Sequence, residues 1–108
     1  MKEIYRKIKK FIQRGKRGWS DEDTWDFDNY LSEVISGGCK HLANNLNSYP
    51  NGLTEKKWKE ILLSISDNIM GTEKADGMNI KYDDYKELEK RQKEALKLLT
   101  KYYLDLWD

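Results

Sequence analysis

Five carboxylates, Asp21, Asp23, Asp26, Asp28 and Glu33, fall within thirteen residues. That is the density a divalent cation or a magnesium-dependent phosphohydrolase would require. Carboxylates from one helix alone seldom enclose an ion, and the later partners on offer, Glu60 and Glu87, read as ordinary surface residues. A plainer role is at hand. Ser20, with Asp23 three positions on, has the form of a reciprocal helix cap, and Asp21, Glu22 and Asp23 complement the positive end of a helix dipole. Cys39 and His41 are the sole cysteine and histidine. Two ligands cannot close a tetrahedral site, and side chains two apart on a helix diverge. Cys39 therefore reads as a small residue filling a helix–helix contact. With no Walker loop, dinucleotide fingerprint, zinc pattern or nucleophile elbow in the chain, the sequence predicts no catalytic residue, no metal and no cofactor, hence a protein that is not an enzyme.

The second chemical feature is charge. Residues 1–18 carry eight Lys or Arg and one Glu, a net +7, whereas the other 90 residues carry twelve basic and eighteen acidic side chains, a net −6. "RKIKKFIQRGKR" sets dense cations around an aromatic residue, a pattern suited to phosphate backbones or to an acidic partner. Its candidate contact residues are Arg6, Lys9, Lys10, Arg14, Lys16 and Arg17. Two blander readings stand beside this one: a solvated helix face, and an arm pinned onto the carboxylates at the start of the next helix. Adsorption to a membrane surface is weaker, because the apolar face is short and its expected place is the core.

The elements that must position these groups follow from hydrophobic spacing. Ile4, Ile8, Phe11 and Ile12, with Tyr5 at the edge, define a short amphipathic helix ending near Gly15 or Gly18. Trp25, Phe27, Leu31, Val34 and Ile35 form the expected buried stripe of a second helix, with Asp28 beside it and partly buried. Gly37-Gly38 predicts either a bend or a junction of two helices, and close packing there. Pro50 and Gly52 mark a turn, and Thr54 caps a helix carrying Trp58, Ile61, Leu62, Ile65 and Ile69, closed by Gly71. Residues 71–84 read as a surface loop. A last helix starts at Asp83 or Asp84 with Tyr85, Leu88, Ala95, Leu99, Tyr102 and Leu106 on one face, and Trp107 is expected to dock into the core.

A charged fraction of 36%, thirteen aromatic residues and near-neutral net charge suit helices with solvated outer faces. The expectation is an all-α fold, a compact bundle of four or five helices in one domain, 1–108, with residues 1–18 as a basic N-terminal arm and 19–108 as the helical body. A single cysteine excludes an internal disulfide, no apolar run is long enough to span a bilayer, and the start lacks a secretory signal. Together these predict a cytoplasmic protein without a membrane partner.

"QRGKRGWSDEDTWDFDNYL", "VISGGCKHL", "YPNGLTEKKWKEIL" and "KYYLDLWD" resemble a family of small proteins encoded by bacteriophages and prophages. The likeness spreads over most of the chain outside 71–84. It implies a setting in the infected bacterial cytoplasm rather than a reaction, since no enzymatic activity comes with the family. Cys39 departs from it, at a position that looks usually aliphatic. The resemblance points to Trp19, Ser20, Asp23, Trp25, Asp28, Tyr30, Gly52, Thr54, Trp58, Trp107 and Asp108, each already explained as cap, turn or core. The expected function is a binding protein acting on a host or phage macromolecule, one version being an inhibitor of a defence component such as a nucleic-acid-guided nuclease. The rivals are a direct DNA- or RNA-binding protein using the basic arm, and a self-associating assembly protein with Tyr49 or Tyr82 at the contact.

Overall fold

The computed structural model describes residues 2–70 and 82–107. The fold is all-α: α1 (Lys2–Arg17), α2 (Phe27–Asn44), α3 (Glu55–Asn68) and α4 (Tyr82–Tyr102), with short 3-10 helices at Glu22–Asp26 and Tyr103–Asp105. Helix closure at Gly71 and the loop over 71–81 lie outside the described residues. Chain contacts divide the protein into an N-terminal unit, Met1–Leu31, and a C-terminal unit, Ser32–Asp108.

In the C-terminal unit, Cys39 and Ala43 of α2 pack with Trp58, Leu62 and Ile65 of α3, and Leu98, Tyr102 and Leu106 close over them. Trp58 and Tyr102 meet edge to face at 5.4 Å between ring centroids, the geometry that aromatic quadrupoles favour. Thr54 caps α3 by accepting from the Lys57 N–H at 3.1 Å, which satisfies one of the helix's orphan donors. Gly52, at φ +89°, supplies the left-handed residue of the preceding turn. Where α2 meets α3, Ser36 and Ser66 exchange bonds: Ser36 Oγ donates to the Ser66 carbonyl at 2.8 Å and Ser66 Oγ donates to the Ser36 carbonyl at 2.7 Å.

The expected stripe on the second helix holds at Ile35, which packs against the core, and fails at its other members. Trp25, Phe27, Leu31 and Val34 are exposed, and so is Asp28, while Ser32, Cys39 and Ala43 are the buried residues of α2. Small side chains let two helix backbones approach where the serines exchange bonds, and Ile35 and Leu42 pack against the same core beside them. α2 also runs without a break through Gly37 and Gly38. A Cβ added at either meets nothing within 4 Å, so these glycines are not required for close packing. At the C-terminus, Trp107 is 67% exposed rather than docked, because Tyr102 and Leu106 already cover the core edge. Cys39 is buried, and burial pushes its thiol pKa up.

Two thermal denaturation measurements check this packing. Gly37→Ala is expected to stabilise the protein by about 0.5–1 kcal/mol through helix propensity alone. Leu62→Ala, in the sealed core, is expected to cost about 2–5 kcal/mol. A destabilising Gly37→Ala would mean that the open space above this glycine is in fact filled.

Candidate functional site

The N-terminal unit is built around a polar centre. Among its described residues only Ser20 and Asp23 are buried. The chain leaves α1 at Gly18, which takes φ +87° and donates its N–H to the Arg14 carbonyl at 2.8 Å. That left-handed residue reverses the chain, so residues 19–26 return along the helix that precedes them. Ser20 and Asp23 then cap each other: the Ser20 N–H donates to Asp23 Oδ2 at 2.7 Å, and the Asp23 N–H donates to Ser20 Oγ at 3.2 Å.

Arg14 reaches the same carboxylate with two prongs, Nε to Oδ2 at 2.8 Å and Nη2 to Oδ1 at 2.6 Å. Such planar bidentate pairing is the arrangement guanidinium geometry serves best. The Arg14 bonds, above all, hold the Asp23 carboxyl well below its ordinary value of 3.8, with the Ser20 N–H and hydroxyl adding to them against the opposing effect of burial. Around this centre Gln13 and Asp21 exchange two bonds of 2.9 Å, Arg6 pairs with Glu22 at 2.7 Å, and Arg17 pairs with Asp21 while donating to the Trp19 carbonyl at 2.9 Å. Arg17, then Gln13, lower the Asp21 carboxyl. The guanidinium of Arg17 lies 3.9 Å from the Trp19 ring centre and that of Arg14 4.9 Å from the Tyr30 ring centre, both at cation–π range. The Tyr30 hydroxyl donates to the Gly18 carbonyl.

Of the six cations singled out in the sequence, four are thereby engaged by the chain itself. Arg6, Arg14 and Arg17 make close ion pairs, and Lys10 Nζ lies 3.9 Å from Asp23. Lys9 and Lys16 make no ion pair among the described residues, and neither do Lys2 and Lys7. The pinned-arm reading thus describes the three arginines and Lys10, and the free-cation reading describes Lys9 and Lys16. The five-carboxylate cluster does not converge: Asp21 and Asp23 face cations, Asp26 accepts from the Asn29 amide, Asp28 and Glu33 stay exposed, and no three His, Cys, Asp or Glu side chains meet at a metal position among the described residues.

The expectation that fails here concerns the apolar face of α1. Ile4, Tyr5, Ile8, Phe11 and Ile12 are 48–79% exposed, and α1 buries no residue. At 3.6 residues per turn, Arg6, Lys10, Gln13 and Arg17, which meet the carboxylates, lie across the helix from the centre of the stripe, and Arg14 sits at its edge, about 60° from Phe11. Ion pairing on one side therefore leaves the apolar stripe on the other outward. Lys2, Lys9 and Lys16, seven apart, line one flank of the stripe and Lys7 the other. Trp25, 75% exposed, joins Tyr5 along a shallow groove of about 270 Å³. Reading the stripe as core followed the usual fate of apolar residues. The signal against it was present in the number of carboxylates, enough to claim the polar face. No family model, curated protein or solved structure matches this chain.

Asp23 gives the site its pH dependence. Its folded pKa lies below the unfolded value of 3.8, so its contribution to stability is complete above that value and is lost as pH falls through the folded pKa. The difference in melting temperature between wild type and Asp23→Asn should be constant from about pH 5 to 8 and should shrink below about pH 4. A difference unchanged down to about pH 2 would show that Asp23 acts as a neutral hydrogen-bonding group instead.

Proposed function

We propose that this chain is a non-enzymatic binding protein that acts on a host or phage protein in the bacterial cytoplasm, presenting the outward face of α1 to an apolar groove rimmed by acidic residues. Inhibition of a bacterial defence component is the concrete form this takes if the phage resemblance holds. One observation carries the reading: an amphipathic helix whose apolar stripe is exposed while its arginines are occupied within the chain. Helix-in-groove recognition uses such i, i+4, i+7 anchors, here Ile4, Ile8 and Phe11. Burying each would contribute about 1.5–3 kcal/mol. Lysines along the flanks suit an acidic rim, which steers encounter and fixes orientation more than it adds affinity.

The nucleic-acid reading retains one supporting feature, the row Lys2, Lys9 and Lys16. It is the weaker of the two, since phosphate binding gains nothing from an exposed isoleucine and phenylalanine stripe, and the arginines best suited to phosphate are already paired.

Affinity purification from nuclease-treated lysate of infected bacteria separates the two. The wild-type chain is expected to return one protein in near-stoichiometric yield, and Phe11→Asp, an exposed position, should lose it while keeping wild-type helical circular dichroism. Lys9→Glu with Lys16→Glu should slow association and flatten its salt dependence. Recovery that depends on nucleic acid, or that survives Phe11→Asp, would contradict the proposal.

A further inference from the structure

The C-terminal unit holds a feature that the face of α1 does not explain. A cleft of about 320 Å³ opens between residues 48–51 and the end of the chain, lined by Ser48, Tyr49, Pro50, Asn51, Asp105 and Trp107, with Trp58 behind it. Trp58 is sealed from solvent, whereas Tyr49 is 53% and Trp107 67% exposed. The cleft thus has a buried aromatic base and two wet aromatic walls. Asp105 is half-buried there, in the short 3-10 helix, and its carboxylate makes no ion pair or hydrogen bond among the described residues. Every other carboxylate that is half-buried or buried in the described chain has a cation: Glu22 has Arg6, Asp23 has Arg14, and Glu89 has Lys93.

We infer that this cleft is a binding site for an organic cation, an alkylated ammonium or guanidinium group held by the Asp105 carboxylate and the faces of Tyr49 and Trp107. The chemistry selects this class by elimination. An anion meets a carboxylate and no cation in the lining. A neutral apolar ligand would desolvate Asp105 without pairing it, which is costly. A hard metal ion needs more oxygen ligands than one carboxylate provides. An organic cation satisfies all the walls at once, since aromatic faces attract cations and the apolar part of the ligand covers Pro50. The cleft lies at the small end of the range for ligand sites, about 300–1,000 Å³. That suits either a free quaternary ammonium compound or one Lys or Arg side chain of a protein. This site stands apart from the reading of α1, and neither depends on the other.

The test is an NMR titration of the full chain, following the indole N–H signals of its four tryptophans, with Trp107 assigned from Trp107→Phe. The probes are choline, its neutral isostere 3,3-dimethylbutanol, and blocked lysine and arginine. Saturable movement of the Trp107 signal is expected with choline or with the blocked amino acids, at millimolar half-saturation. The alcohol should bind at least about tenfold more weakly, the loss of roughly 1.4 kcal/mol or more in affinity. Asp105→Asn should weaken the cation by a similar factor while leaving the remaining spectrum in place. Tighter choline would assign the site to a free ligand, and tighter lysine or arginine to a side chain on a protein. Non-saturable shifts, equal binding of the alcohol, full affinity in Asp105→Asn, or movement confined to Trp19 and Trp25 would each overturn the inference.

Discussion

The Asp23 carboxylate organises the N-terminal third of this protein. It accepts from the Ser20 N–H, takes both prongs of Arg14 and sits nearly sealed from water. A carboxylate in that position is tolerable only when its oxygens are bonded, and a broken pair would leave an uncompensated buried charge. The constraint propagates. Ser20 must stay where Gly18 delivers it, Arg14 must reach across to Asp23, and α1 must turn its Arg6 and Arg17 side to the same acidic segment. Polar satisfaction, not apolar burial, decides which face of this helix meets solvent.

The two units therefore rest on different physics. The C-terminal unit follows the familiar pattern, with Trp58, Leu62 and Ile65 sealed among small residues of α2 and the side of α4. The N-terminal unit buries two polar residues and leaves its large apolar ones wet. Exposed isoleucines, phenylalanine and tryptophan forgo burial free energy that a folded chain ordinarily collects. A surface of that kind gains most from a second molecule, which links the capping network to a binding function.

Much of the fold was legible in the sequence. The 3.6-residue spacing placed the helices, Thr54 announced the cap of α3, and Gly18 and Gly52 marked the reversals that their positive φ angles confirm. Ser20, expected to cap the second helix, instead bonds Asp23 at a 3-10 turn, and α2 begins only at Phe27. The failures share one cause. Hydrophobic periodicity ranks faces by apolar size, and it therefore assigned Leu31 and Val34 of α2, and Phe11 of α1, to the interior. In α2 the core face combines Ile35 and Leu42 with the small Ser32, Cys39 and Ala43, next to the contact where Ser36 and Ser66 exchange bonds. In α1 the charges won because Glu22, Asp21 and Asp23 arrive opposite Arg6, Arg17 and Arg14. Charge complementarity across a chain reversal has no period, so only the composition of the two segments hinted at it. Of the six candidate cations, the sequence did not separate arginines from lysines, although the planar fork of arginine is what suits it to the internal carboxylates.

The central claim is that internal ion pairing leaves the apolar side of α1 open to solvent. Hydroxyl-radical footprinting of the free protein reads this directly, residue by residue. The account requires Tyr5 and Phe11 to be labelled at rates comparable with exposed Trp25 and far above those of sealed Trp58. Protection of Tyr5 and Phe11 to the level of Trp58 would mean that the stripe is buried, and would contradict it.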